Sequence, residues 1–207
     1  MKEKLKSNEL EALRVIRNSL MHTGSFPSVR ELMKKLDYKS PRSAQLLLEQ
    51  LTEKKTLHRK PDGNYQLLEI GTDETTRAQT VDVPLLGTIA CGLPILAQEN
   101  INAMIPVSIK FARPPHKYFM LLAKGDSMNK KGINNGDMVL IKQQSSANNG
   151  DIIVALIDDE ATIKEFRKGS DSILLIPRST NSKHQPIILT QDFKVQGVVI
   201  TSIPKIK

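Results

Sequence analysis

The spacing of apolar residues changes partway along this 207-residue chain, and that change limits the folds open to it. Up to about residue 55 the apolar positions recur at three and four residues, as on a helix with one buried face. Beyond residue 80 they come in short runs or alternate, bounded by Gly, Pro and Asn, as in strands. Between the two regimes, Glu69 to Thr80 is polar and without period, which reads as a linker. The expectation is an α+β chain: a helical domain over 1–70, a linker over 71–80 and a mainly antiparallel β domain over 81–207.

Three helices are expected in the first part. Asn8-Glu9-Leu10-Glu11 fits a capping box with Asn8 as N-cap, and Leu10, Leu13, Ile16 and Leu20 form the stripe of a helix that Gly24 can end. Ser28-Val29-Arg30-Glu31 is a second box, opening a short helix to about Leu36. Ser40 and Pro41 supply N-cap and first turn of a third helix, in which Ala44, Leu47, Leu48 and Leu51 face inward. Thr56–Lys60 and Tyr65–Leu68 then flank Pro61-Asp62-Gly63-Asn64 as a hairpin. Three helices and a basic hairpin make a winged helix–turn–helix.

The outward face of the third helix carries Arg42, Leu46 and Glu49, flanked by Ser43, Gln45 and Gln50. A second motif helix presents its N-terminal residues to base edges in the major groove. Arginine suits guanine, glutamine suits adenine, and an outward leucine can meet a thymine methyl; a merely solvated face does not favour that leucine. The expected DNA contacts are Ser40, Arg42, Ser43, Gln45 and Leu46 at the bases, with Lys54, Lys55 and Lys60 on phosphates. The formal net charge of +8, denser in the N-terminal third, agrees with a polyanionic partner.

In the second part, strands are expected at Val81–Leu86, Tyr118–Ala123, Asp137–Ile141, Ile152–Ile157, Ala161–Phe166, Ser172–Pro177, Pro186–Leu189 and Lys194–Ile203. Between two of them lies Gly125-Asp126-Ser127-Met128, echoed by Gly136-Asp137. Such turns lift a side chain out of a sheet, and Ser127 becomes a candidate nucleophile. It needs a base, and no histidine sits near a supporting acid in any recognisable sequence motif. Lys164 alternates with Thr162 and Phe166 on one strand face, a setting for burial. An exposed lysine, with a pKa of ~10.4, is neutral in about one molecule in 2,500 at pH 7, a penalty of roughly 4.6 kcal/mol. Burial lowers that penalty by disfavouring the ammonium. Lys130 and Lys131, in a polar turn, lack such a setting. The backbone N–H groups of Ser127 and Met128 are the candidate oxyanion donors.

Gly125-Asp126-Ser127-Met128, Thr162-Ile163-Lys164 and Ala90-Cys91-Gly92, in register over nearly the whole chain, resemble the self-cleaving LexA-type repressors and their relatives among mutagenesis proteins and phage repressors. The resemblance implies a Ser127–Lys164 dyad that cuts the chain's own Cys91–Gly92 bond. It also implies a homodimer joined through the β domain, double-stranded operator DNA as ligand, and stimulation by a RecA–single-stranded DNA filament in an SOS response. Enterobacterial members carry asparagine and two glutamates where this chain has Arg42, Gln45 and Leu46, so their operator is not transferable.

Rival readings are weighed against this one. Ser127-Met128-Asn129-Lys130 matches the S-x-x-K of penicillin-binding enzymes, but no K-T-G follows and Gly132 with Asn134-Asn135-Gly136 opposes the helix that fold needs. A prophage-type repressor shares every motif. A serine–lysine peptidase acting in trans leaves the DNA reader unexplained, and a winged-helix regulator with a merely dimerising β domain leaves the dyad unexplained. Cys91 is the only cysteine, so no disulfide or cysteine-cluster metal site is expected, and four scattered histidines lack ligand spacing. No cofactor is called for. Met1–Lys6 is basic but no apolar signal core or membrane-length run follows, so a cytoplasmic protein is expected.

Overall fold

The structure is a computed structural model that describes residues 5–68, 80–87, 100–157, 160–189 and 193–205. The chain forms two compact units, Met1–Val81 with Ser108–Pro115, and Asp82–Val107 with His116–Lys207.

The first unit contains α1 (Ser7–Thr23), α2 (Val29–Lys35), α3 (Pro41–Glu53) and a hairpin of β1 (Leu57–Arg59) with β2 (Tyr65–Leu67). Ala44, Leu47, Leu48 and Leu51 of α3 are buried against Ala12, Leu13 and Ile16 of α1 and Leu32 of α2, and Leu57 closes the cluster. Local signals set the helix starts. Ser28 and Glu31 exchange hydrogen bonds at 2.8 and 3.3 Å, and the Ser40 hydroxyl accepts the Ser43 N–H at 3.3 Å with Pro41 in the first turn. Gly24, at φ 74°, ends α1 and donates to the Leu20 carbonyl.

The start of α1 differs from expectation. Lys6, not Asn8, is the N-cap, and the Glu9 carboxylate, not that of Glu11, accepts the N-cap N–H at 2.6 Å. The reason is tertiary. Glu9 is only 1% exposed and pairs with Lys54 Nζ at 2.9 Å, and so fixes the register, while Glu11 stays in solvent.

The second unit is a nine-stranded sheet in the order β10-β9-β8-β7-β11-β6-β5-β3-β4. Its strands are β3 (Thr80–Leu86), β4 (Ile101–Ser108), β5 (Tyr118–Leu122), β6 (Met138–Gln143), β7 (Ile152–Ile157), β8 (Glu160–Lys168), β9 (Ile173–Ile176), β10 (Ile187–Leu189) and β11 (Lys194–Ile203). It is mostly antiparallel, with β3 and β5 parallel. Strand β7 reads as an unbroken apolar run because both its faces are covered. Val154 and Leu156 join a cluster with Phe119, Met128 and Ile141, whereas Ile153 and Ala155 join one with Phe166 and Leu175.

Strand β4 was not expected from the sequence. It holds Pro106, which argues against a central strand, and the structure resolves the conflict by placing β4 at the sheet edge.

Strand β11 lies between β7 and β6 and slips register against each, at Val195/Gly197 and at Val199/Thr201. Gly197 is needed there for space: a Cβ would stand 2.4 Å from the Lys142 carbonyl oxygen and 2.5 Å from Ile141 Cγ2. Gly197→Ala must spread β11 from β6, and a loss of about 1–3 kcal/mol in urea denaturation is expected.

Candidate active site and nucleic-acid interface

The turn after β5 is built by its glycines and carboxylates. Gly125, Gly132 and Gly136 all have φ between 76 and 90°, where a side chain is strained. Asp137 accepts the N–H groups of Asn134 (2.8 Å) and Lys205 (3.1 Å), and the Asn135 side chain accepts that of Gly125 (2.9 Å). Asp126 accepts from Asn181 Nδ2 at 3.2 Å and meets His184 Nε2. Asn129 and Thr180 exchange two further bonds, at 2.8 and 2.9 Å. The turn is thus laced to residues 178–184. Only a short 3₁₀ segment, Asn129–Lys131, follows Ser127, and Gly132 ends it, so the helix of penicillin-binding enzymes is absent here.

Across a cleft of about 490 Å³, Lys164 on β8 meets this turn. Its Nζ lies 3.0 Å from Ser127 Oγ, 2.8 Å from Thr162 Oγ1 and 3.0 Å from the Ile163 carbonyl oxygen. The lysine is 8% exposed, and burial pushes its pKa below the ordinary value. The apolar surroundings are Leu121, Met128, Ile133 and Ile163, which line the cleft; Phe166 packs instead with Ile153 and Leu175. Lys130 is exposed, its N–H bound to the Arg178 carbonyl.

Three oxygens around one nitrogen suit both protonation states. An ammonium donates to all three; a neutral amine donates to Thr162 and Ile163 and offers its lone pair to the Ser127 hydroxyl. Deprotonation therefore needs no rearrangement. Met128 forms an isolated antiparallel bridge with Ile133, whose N–H donates to the Met128 carbonyl at 3.3 Å. Gly87 lines the cleft, and its N–H donates to the Asn100 carbonyl at 3.1 Å. Cys91 and Gly92 lie outside the described residues, as does most of the linker expected over 71–80.

In the helical unit, Arg42, Gln45 and Leu46 are exposed on one side of α3, Leu46 by 47%, and Gln45 touches Glu49 at 3.3 Å. The Ser40 and Ser43 hydroxyls meet each other at 3.0 Å in the helix cap. Lys55 and Lys60 are exposed. Lys54 is not: its side chain is 11% exposed and bound to the buried Glu9, a carboxylate that costs too much to leave unpaired. In this structure the Lys54 ammonium is engaged by Glu9 within the helical unit. The hairpin turn is closed by Lys60 N–H to the Asn64 carbonyl at 2.7 Å, and Arg59 lies over the Tyr65 ring.

Sequence reasoning missed the contacts between 126–131 and 178–184, whose separations of 48 to 58 residues leave no local spacing to read. Among the described residues, no group of three His, Cys, Asp or Glu is placed to hold a metal ion, and no helix is long and apolar enough to cross a membrane.

Comparison with known proteins gives two family matches, the LexA DNA binding domain over residues 2–64 and the Peptidase S24-like domain over residues 84–200. The LexA repressor of Clostridium botulinum (strain Hall) is 40% identical over 190 residues, covering 92% of each chain. Those of Ruminiclostridium cellulolyticum and Acetivibrio thermocellus are 37% and 35% identical, each covering 97% of both chains.

Burial of Lys164 carries a stability signature. Its folded pKa lies below the unfolded value of 10.5, so the folded chain bears the full penalty below the folded pKa and sheds it progressively as pH rises from there to 10.5. Paired urea titrations between pH 7 and 10 should show the wild-type chain gaining stability relative to Lys164→Met. A parallel pH dependence of the two chains would contradict the assigned burial cost.

Proposed function

This chain belongs to the LexA repressor family, and from that premise we propose that it represses transcription as a DNA-bound dimer and inactivates itself by cutting its own Cys91–Gly92 bond. The observation that carries the catalytic half is the 3.0 Å contact between Lys164 Nζ and Ser127 Oγ inside a partly apolar cleft. Neutral Lys164 takes the hydroxyl proton as Ser127 Oγ attacks the Cys91 carbonyl. The oxyanion of the tetrahedral intermediate is held by the Ser127 and Met128 amides. Lys164 then returns the proton to the Gly92 nitrogen as it leaves, and water hydrolyses the Cys91–Ser127 ester.

Covalent geometry supports cleavage in cis. Gly87 is on the cleft wall, and Cys91 follows four residues later, a reach of up to about 14 Å in extended chain. The DNA half rests on α3, where Arg42, Gln45 and Leu46 set specificity while Lys55 and Lys60 hold phosphates. A single winged domain offers few base contacts, so two copies joined through the β domain bind a two-fold site. Cutting after Cys91 separates reader from dimeriser and removes the effective concentration that makes the second half-site easy to fill. The RecA–single-stranded DNA filament is the proposed stimulus, in an SOS response, and the cytoplasm the proposed location.

Incubation of the purified chain at alkaline pH tests the reading. Two fragments meeting at Cys91/Gly92 are expected, with a first-order rate independent of protein concentration; a rate that scales with concentration indicates a trans peptidase, and an intact chain a regulator without peptidase activity. Ser127→Ala and Lys164→Ala should abolish cleavage and leave operator binding unchanged, whereas Lys130→Ala should cleave normally. Arg42→Ala should cost about 1–3 kcal/mol at one base position, while Lys60→Ala should weaken all sequences alike and reduce the salt slope.

A further inference from the structure

Residue 165 follows the buried lysine on β8 and is a glutamate only 3% exposed. Its carboxylate accepts Arg178 Nε at 2.8 Å and Nη2 in a two-pronged pair, with Lys131 Nζ at 3.5 Å and Arg167 Nε at 3.7 Å. Glu165 does not line the cleft, so it has no part in the chemistry assigned above.

Arg178 does more than neutralise it. The Arg178 backbone N–H donates to the Ser127 carbonyl at 2.8 Å, and its carbonyl accepts the Lys130 N–H at 2.8 Å. One residue therefore grips the nucleophile's turn with its main chain and the base's neighbour with its side chain. Lys131, from the same turn, reaches the same carboxylate. Among the described residues, the ion pairs that join the strand of Lys164 to the turn of Ser127 and to the segment bonded to it all run through Glu165.

We propose that Glu165 and Arg178 are positioning residues, an ion pair that sets the distance between Ser127 Oγ and Lys164 Nζ. This rests on the dyad reading above. A bidentate guanidinium–carboxylate pair fixes direction as well as distance, which a point charge does not. Misplacing reacting groups by about an ångström costs on the order of 100-fold in rate, so the pair has ample leverage.

The alternative is that the pair acts on Lys164 through charge alone, and the pH profile separates the two. Glu165→Gln leaves an excess positive charge beside Lys164 and lowers the pH midpoint of cleavage; Arg178→Gln leaves a negative charge and raises it. Positioning instead predicts that both variants lower the alkaline plateau rate in the same direction. Full-length chains would be followed by gel electrophoresis of the fragments between pH 7 and 11, with Ser127→Ala as the blank.

The expected result is a plateau at least about tenfold lower in each variant, with Arg178→Lys intermediate because it keeps charge but not the fork. Plateaus within twofold of wild type, whether or not the midpoints move apart, overturn the proposal while leaving the dyad intact. Where a glutamine variant lacks a cooperative thermal melt, Arg178→Lys decides alone, a plateau equal to wild type again counting against the pair. Cleavage by Ser127→Ala, or none by the wild-type chain, removes the dyad reading and this inference with it.

Discussion

The second unit turns on holding an amine in a place where an ammonium is disfavoured. Lys164 is kept there by Thr162 Oγ1 and the Ile163 carbonyl, both supplied by its own strand, so the nitrogen has a fixed address before the turn arrives. Desolvation without those acceptors would leave buried N–H groups unsatisfied, at a cost of several kcal/mol against a fold stability of about 5–15 kcal/mol. With them, the cost is confined to the ammonium form, which is the form a base must lose. Strand β8 thus provides both the burial and the relief.

The opposite wall follows a different logic. A serine on a turn is mobile unless the turn is tied, and here two of the ties use residues that follow a glycine of the tight backbone. Asp126 and Asp137 follow glycines with positive φ, and each spends its carboxylate on holding another segment. Repeated Gly-Asp pairs are therefore fastenings. What the cleft gains is a serine whose carbonyl, preceding carboxylate and following turn are all bonded to residues 178–184.

Legibility from sequence follows the range of the interactions. The α3 stripe, the Ser28 and Ser40 caps and the Gly24 terminus rest on contacts within four residues, and all can be read from the chain. Strands β7 and β11 are equally plain, because burial of both faces or long alternation leaves few competing patterns. The start of α1 was misplaced because a partner 45 residues away outweighed the local box. Strand β4 was hidden by Pro106, a residue whose meaning depends on edge or centre. Lys54 looked like a surface cation, and only the tertiary fold shows that Glu9 claims it. Ser127 and Lys164 could be paired on paper through motif and chemistry, but Glu165 with Arg178 could not, since a strand position and a loop arginine carry no shared period.

An open sheet has two rims, and every rim is a template on which a foreign strand can grow. Among the described residues one rim is β4, and Pro106 within it has no N–H to donate. A proline in an edge strand offers no N–H and holds a fixed backbone angle, both of which disfavour growth of a foreign strand beside it. The residue that obscured the strand in the sequence thus belongs to the devices by which sheet edges discourage pairing with a second chain.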